Sequence, residues 1–457
     1  MAIHGKVYDV RELVTAFVPI HPGGQAILLR NAGQDATASF DSVHPIEILD
    51  EYVESVQIMG ALLAKHSSAD MPPDSASKSR QHAGNEEDLA TLVPLEQMLS
   101  LPEMEASALR QLSPKAVSYY ASGTDDELTM RHNSAIFRSI SLRPRVFVDC
   151  TSCDLSTMIL GESVGLPIFV SPAAMAKLAH PSGERGIAAA CSTFNALQII
   201  SKNASISVPS IVGAGAQSVY AWQLYVLKDI SATERTLAQI RAIPQIRFIV
   251  LTLDAPFPGK READVRFKMG EMAGSSPPQV WGTEGSLTWR RTLKWLSTQT
   301  SLPIVLKGIQ CHEDAYAATK FPSVKGIILS NHGGRALDTA PSPVQVLLEI
   351  RKFCPQVLDK VEVMIDGGIR RGTDVVKALA LGAKAVGIGR AALYGLALAG
   401  QAGVERTLES RCLHLSGLSM RQEKLTCAQS VLAEETMTAM RLLGVNRVSE
   451  LGPRHVR

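Results

Sequence analysis

Eight short apolar runs, alternating with stretches of helical periodicity, constrain the fold of this chain more than any other feature. They are Leu166 to Val170, Leu197 to Ile200, Trp222 to Val226, Phe248 to Leu253, Pro303 to Leu306, Gly326 to Leu329, Val361 to Ile365 and Ala385 to Ile388. Regular alternation of buried strands with helices specifies a parallel α/β architecture, and eight units is the number that closes a (β/α)8 TIM barrel. Most runs end on a polar residue or glycine: Ser171, Ser201, Asp254, Lys307, Ser330, Asp366 and Gly389. A doubly wound open sheet shares the alternation. It leaves unexplained the polar groups at nearly every strand end and the Gly-rich segments at the last two strands. The expected fold is therefore a barrel with its chemistry on one rim.

Length and composition frame the rest. With 457 residues, 46% of them hydrophobic and 20% charged, the chain has an ample core and room for more than one domain. A net charge of +2 from dispersed basic residues carries no footprint for nucleic acid or an anionic membrane. No run of about eighteen apolar residues is present to suggest a membrane span. MAIHGKVYDV has neither a signal-peptide nor a transit-peptide pattern, and GPRHVR is no peroxisomal address. The default location is the cytoplasm, with the mitochondrial intermembrane space as the alternative if a presequence once preceded this start. The seven scattered cysteines suit a reducing compartment, and Cys150 and Cys153, a lone CxxC pair, read as two free thiols.

The polar, Ser- and Pro-containing stretch KHSSADMPPDSASKSRQHAGNEE divides the chain. Too little apolar surface is present there to order it, so residues 64–88 read as a flexible linker between a small domain, 1–63, and the barrel, 89–457. A domain of that size is marginal on its own core and gains from a metal or cofactor.

At the strand ends, two segments look built for a phosphate: DGGIRRG from Asp366 to Gly372, and GIGR from Gly387 to Arg390. Glycine lets backbone N–H groups approach an anion, and the loops after strands seven and eight are the usual phosphate site of a barrel. For either segment alone, tight turns explain the glycines as well. In IILSNHGGRALD, Asn331, His332 and Arg335 follow a core strand. LTLDAPFPGKRE contributes Asp254 and Arg261, and LPIVLKG contributes Lys307. An aspartate that orients a histidine makes it a competent base. Two arginines suit a planar carboxylate, although surface salt bridging explains each singly. Together they suggest a small acidic substrate that loses a proton or hydride.

SNHGGR, LTLDAPFPGKRE, LPIVLKG, DGGIRRGTDVVKALALGAKAVGIGR and YYASGTDDE closely resemble the FMN-dependent α-hydroxy-acid dehydrogenases and oxidases, over nearly everything after the linker. The resemblance implies that His332 is the base that takes the proton from substrate C2, with Asp254 beside it. It implies that Tyr119, Arg261 and Arg335 bind the substrate carboxylate, that Tyr225 hydrogen-bonds the substrate oxygen, and that Lys307 stabilises reduced FMN. Ser201, Gln223 and Thr252 would hold the isoalloxazine edge and Ser330 would lie near the ribityl chain. Asp366, Gly368, Arg370, Gly389 and Arg390 would hold ribityl and phosphate. Homotetramers are expected from the same resemblance.

Before the linker, GKVYDV, HPGG and AGQDATASF resemble a cytochrome b5 domain, a small α+β fold, with His21 and His44 as the axial pair of haem b. The expected activity is FMN-dependent oxidation of a lactate-like L-2-hydroxy acid to the 2-keto acid, with electrons passed through haem to cytochrome c or a similar acceptor. The alternatives are a haem-free (S)-2-hydroxy-acid oxidase that uses oxygen and an inactive FMN-binding protein. Three departures stand out. The opening helix and strand of a cytochrome b5 domain are missing. ESRCLHLSGLSMRQEKLTCAQ interrupts a helix near Leu408 to Gln429, and is either an insertion that loops out or the product of an imperfect gene model. Asn203 replaces a large apolar residue that in relatives faces the substrate side chain, which predicts weaker preference for simple aliphatic substrates.

Overall fold

The computed structural model describes residues 1–8, 31–41, 43–45, 58–61, 93–271, 283–408 and 431–457. In the amino-terminal part, β1 (Ala2–Ile3), β2 (Lys6–Tyr8) and β3 (Ile58–Ala61) form an antiparallel sheet in that order, accompanied by helix α1 (Thr37–Asp41). His21, the linker and the interruption at 409–430 lie outside the described residues.

Three helices precede the barrel: α2 (Leu101–Gln111), α3 (Pro114–Ala121) and α4 (Leu128–Ala135). Ser100 and Ser113 cap the first two by accepting from the Glu103 and Ala116 N–H groups, and Pro follows in the first turn of each. Asp338, from a distant loop, caps α4 by accepting from the Leu128 and Thr129 N–H groups at 3.2 and 2.7 Å.

A hairpin, β4 (Thr157–Ile159) and β5 (Glu162–Val164), comes next. The barrel follows with β6 (Ile168–Val170), β7 (Gln198–Ile200), β8 (Tyr220–Leu224), β9 (Ile246–Thr252), β10 (Ile304–Ile309), β11 (Val324–Leu329), β12 (Glu362–Asp366) and β13 (Val386–Ile388). All neighbours pair in parallel in chain order, and β13 closes onto β6. Each of the eight apolar runs contains or overlaps one of these strands. Strand β10 continues through Lys307 to Ile309, so that lysine lies within its strand rather than beyond it, and Gly308 (φ +103°) marks the register shift against β11.

Two apolar clusters separate the barrel into inside and outside. Phe169, Ile199, Ala221, Val250, Val305, Ile328 and Met364 pack together with Ile159 and Val164 of the hairpin, which plugs the amino-terminal end. The alternate residues, such as Ile200, Ile249, Leu251 and Ile327, face the surrounding helices, among them α5 (Gly183–Thr193), α6 (Pro343–Phe353), α7 (Gly372–Ala380), α8 (Arg390–Leu408) and α9 (Leu432–Leu442). This is the period of two expected of strands with a core on each face. Helix α8 breaks at Ala399 and Gly400, where φ of +58° and contact with the His180 ring require glycine.

Candidate active site

The interior pattern decides which side chains reach the open rim. Two residues beyond each interior apolar residue comes a polar one: Ser171 after Phe169, Ser201 after Ile199, Gln223 after Ala221, Thr252 after Val250, Lys307 after Val305, Ser330 after Ile328 and Asp366 after Met364. The site is thus the top layer of the barrel interior, continued by Asn203, Tyr225, Asp254 and His332 one step further up.

His332 sits at φ +58°, a conformation disfavoured for a side chain with a Cβ, and its N–H donates to Ser330 Oγ at 3.1 Å. Its Nδ1 lies 2.7 Å from Asp254 Oδ1, and the Asp254 side chain has no exposure. An ionised carboxylate only accepts, so Nδ1 carries the proton and Nε2 is left as the basic nitrogen. Burial opposes ionisation of Asp254, but His332 and Lys307 outweigh it and hold the carboxyl below its ordinary range. Gly308 makes room for this group, since a Cβ there would come within 2.6 Å of the Asp254 side chain.

Lys307 is buried between two carboxylates, 3.3 Å from Asp366 Oδ2 and 3.9 Å from Asp254 Oδ2, and donates to Ser330 Oγ at 2.8 Å. Burial works against its charge, yet Asp366 and Asp254 raise its pKa above the ordinary lysine value. The ammonium is a fixed positive charge at the floor of the site. Asp254 Oδ2 is buried with no hydrogen-bond partner among the described residues.

Tyr119, from α3, stands between the two predicted carboxylate binders. Arg261 Cζ lies 5.1 Å and Arg335 Cζ 5.2 Å from the centre of its ring. Arg261 pairs with Asp264 at 3.0 Å, and both side chains are buried, so this is not a surface bridge. Among the described residues Arg335 Nη1 has no carboxylate partner. It donates to the carbonyls of Tyr119, Tyr120 and Ser122 at 2.8, 3.2 and 3.1 Å, capping the carboxy-terminal end of α3. Burial, and then Arg261, depress the Arg335 pKa, outweighing the opposite pull of Asp264. Tyr225 is pushed far up by burial and by Asp254, so its phenol remains a proton donor.

The predicted flavin contacts form a connected row. Ser201 Oγ donates to Gln223 Oε1 at 3.1 Å, and Gln223 Nε2 donates to Thr252 Oγ1 at 3.1 Å, all three buried on consecutive strands. Asn203 hangs beside it by its N–H to Ser201 Oγ at 3.2 Å. The Gly-rich loops divide in their reasons for glycine. At Gly368 (φ +84°) a Cβ would fall 2.1 Å from the Asn133 carbonyl, so close packing of backbone explains it. At Gly389 a Cβ would meet open space, and Arg390 beside it is anchored by Nη2 to the Gly333 carbonyl at 2.7 Å. Arg370 pairs with Glu105 at 2.5 Å. The row of amide and hydroxyls, the fixed lysine and the open backbone at Gly389 fit FMN in donor chemistry.

In the small domain only His44 of the two candidate haem ligands is described. It follows α1, its ring 5.3 Å from that of Phe40, and burial, with Lys115 adding, pushes its pKa down to about 4. A neutral imidazole is the form that ligates iron. Lys177 Nζ, on the barrel rim after β6, donates to the Asp41 carbonyl at 2.7 Å and so ties α1 to the barrel.

Sequence reasoning missed several supports. Asn331 and Asn133 exchange side-chain hydrogen bonds at 2.8 and 2.7 Å and lock the His332 loop onto α4. Ser171 Oγ donates to Asp366 Oδ2 at 3.0 Å. Buried Glu184 accepts from the Ala176 and Ser205 N–H groups at 3.0 and 2.9 Å, joining the loops after β6 and β7. The period-two pattern itself was the available signal for Ser171.

The carboxyl rim of this closed parallel barrel brings together a His–Asp pair, a buried lysine and two arginines, groups chemically suited to withdrawing a proton from a small carboxylate. This chain belongs to the FMN-dependent dehydrogenase family, which matches residues 108–414. Residues 1–63 match the cytochrome b5-like heme/steroid binding domain. It is 34% identical to an L-lactate dehydrogenase (cytochrome) of Wickerhamomyces anomalus over 99% of this chain and 76% of the relative. The L-lactate dehydrogenase (cytochrome) of Saccharomyces cerevisiae is 35% identical over the same shares, 99% and 76%. Among solved structures, a mutant flavocytochrome b2 with pyruvate bound is similar at a TM-score of 0.72 and 36% identity, covering 81% of this chain and 90% of that one.

Proposed function

We propose that the chain oxidises a lactate-like L-2-hydroxy acid to the 2-keto acid at FMN in the barrel and passes the electrons through haem b in the amino-terminal domain to cytochrome c or a similar acceptor. The observation that carries this reading is the pairing of half-buried His332 with fully buried Asp254 on the same rim as the two arginines flanking Tyr119. Arg335 and Arg261 take the substrate carboxylate, which supplies the missing anion. Tyr225 donates to the substrate oxygen. His332 Nε2 accepts the proton from C2, and the adjacent Asp254 carboxylate stabilises the imidazolium that forms. FMN, when bound, supplies the two-electron acceptor. Lys307 keeps positive charge at the floor, where negative charge accumulates. His44, with His21, would hold the haem iron.

The relatives also include oxidases, such as the glycolate oxidase of Spinacia oleracea, 37% identical over 68% of this chain. Their likeness covers less of this chain than the 99% covered by the L-lactate dehydrogenases (cytochrome). L-Lactate-driven reduction of cytochrome c by purified protein, compared with oxygen uptake, tests the assignment. Cytochrome c reduction without matching oxygen uptake is expected, and oxygen uptake alone favours a haem-free oxidase.

Assembly as a homotetramer is part of this reading. Val146 and Phe147 are 80% and 106% exposed in a strap whose ends are held by pairing of Ser141 with Arg457 and by the Asp154 N–H to Asn446. Such an apolar strap suits burial against another copy. Light scattering of the purified chain tests it, and a monomer counts against it.

A further inference from the structure

Lys177 lies in the loop between β6 and α5 and is not among the flavin or substrate contacts. Its Nζ donates to the Asp41 carbonyl at 2.7 Å, a bond between barrel and small domain that spans 136 residues of sequence. Each end of this bond is fixed within its own part of the chain. On the barrel side, buried Glu184 accepts from the Ala176 N–H at 3.0 Å and from the Ser205 N–H and hydroxyl at 2.9 and 2.8 Å. Ser205 Oγ in turn accepts from the Lys177 N–H at 3.0 Å, and the Met175 N–H donates to the Asn203 carbonyl at 3.1 Å. The Lys177 backbone therefore belongs to the same hydrogen-bonded unit as the loop after β7.

On the small-domain side, Asp41 closes α1. Its carboxylate pairs with His4 Nε2 at 2.8 Å, and the Ala36 N–H, just before the helix, donates to the Ala2 carbonyl of β1 at 2.8 Å. The His44 N–H donates to the Phe40 carbonyl in the last turn of α1 at 2.9 Å, and the two rings lie 5.3 Å apart. Lys177 thus grips the turn of chain that sets the His44 ring, and an ammonium at the carboxy-terminal end of a helix is favoured by the aligned peptide dipoles. A second barrel group faces the same turn. Lys115 of α3 lies within electrostatic reach of His44, and Tyr119, whose ring stands between the two arginines, follows one helical turn later, about 6 Å along the axis. The His44 turn rests between α3 and the loop after β6, on the rim that carries the flavin and substrate contacts.

We propose that Lys177 is a positioning residue for electron transfer from flavin to haem: its hydrogen bond to the Asp41 carbonyl holds the His44 side of the haem against the carboxyl rim of the barrel. This inference rests on the haem reading of the small domain. Each turnover passes two electrons, one at a time, through the haem iron, which the external one-electron acceptor returns from ferrous to ferric in between. Electron transfer weakens steeply with separation, so the fraction of molecules with the domain seated sets its rate. Lys177 acts on the haem through α1 and takes no part in removing the C2 proton.

Lys177→Met keeps an apolar stem and removes the ammonium. Anaerobic stopped-flow mixing of the full-length protein with L-lactate follows flavin bleaching and the Soret shift in one sample. Flavin bleaching is expected at the native rate and haem reduction about tenfold slower, in keeping with loss of a hydrogen bond from a charged donor. Lys177→Arg, which retains a cationic donor, is expected to restore most of the haem rate. Haem reduction at the native rate in Lys177→Met overturns the proposal. Equal slowing of bleaching and haem reduction also overturns it, because the loop then acts on the barrel's own chemistry. A variant that holds less haem than the native chain overturns it as well, since Lys177 then supports the haem site itself. A native chain whose flavin bleaches while its Soret band is absent or unmoved overturns the haem reading, and the proposal with it; a normal native response beside an insensitive variant overturns the proposal alone.

Discussion

Replacing Asp254 with Asn separates the two tasks assigned to the His332 pair. The amide oxygen can still accept from Nδ1, which lies 2.7 Å from Oδ1 in the native chain, so orientation of the ring is largely retained. What disappears is the negative charge facing the imidazolium. Two unit charges about 4 Å apart attract by about 4 kcal/mol at an effective dielectric constant of about 20. The amide dipole returns part of that, leaving a loss of about 3 kcal/mol, or about a hundredfold in the rate of proton abstraction. Anaerobic stopped-flow bleaching of the flavin by L-lactate measures this step directly. KM is expected to change little, because the carboxylate is held by Arg335 and Arg261, and the isotope effect with 2-deuterated lactate is expected to grow. A rate within tenfold of native, or a loss confined to KM, would refute the argument that Asp254 acts through its charge.

Other perturbations probe the parts around this pair. Arg335→Met removes both the anion partner and the cap on α3, so kcat/KM for lactate should fall at least a hundredfold and the melting temperature should drop; steady-state assay and thermal denaturation check the two effects. Gly308→Ala places a Cβ against Asp254 in a left-handed backbone position, and crystal structure and flavin bleaching should show Asp254 displaced and activity lost while the apolar barrel layers persist. Asn203→Leu is expected to raise kcat/KM for lactate relative to polar 2-hydroxy acids; in the native chain, lactate outpacing every polar 2-hydroxy acid tested would count against a specificity role for Asn203. Because the folded state depresses the Asp254 pKa below its ordinary 3.8, the stability it contributes is present above that pH and is lost as pH falls through the lower folded value. Melting curves of native chain and Asp254→Asn should therefore differ at neutral pH and converge in acid.

The order of the barrel strands was legible because each strand is a continuous apolar run with a core on both faces. The chemistry was legible because its residues cluster within a few positions of strand ends, as His332 and Arg335 do after β11. Partnerships across the chain were not. Arg335 meets the Tyr119 carbonyl 216 residues away, and Asn331 meets Asn133 across 198 residues, with nothing local to advertise either contact. A different limit hid the burial of the Arg261 pairing with Asp264, because a spacing of three residues fits a surface bridge as readily as a buried one. Gly368 and Gly389 look alike as sequence, yet one avoids the Asn133 backbone and the other has open space beside it. Strand ends also misled slightly. Gly308 allows β10 to run past Lys307, which puts the lysine inside the barrel wall, where its two carboxylate partners can reach it.

The central claim is that one chain couples hydroxy-acid oxidation at a flavin to a haem in the same molecule. Anaerobic absorption spectra of the purified full-length protein, before and after adding L-lactate, test it most directly. The account predicts bleaching of the flavin band together with a shift of the Soret band to its reduced position. A flavin band that lactate leaves untouched, or one that bleaches while the Soret band is absent or unmoved, would contradict it.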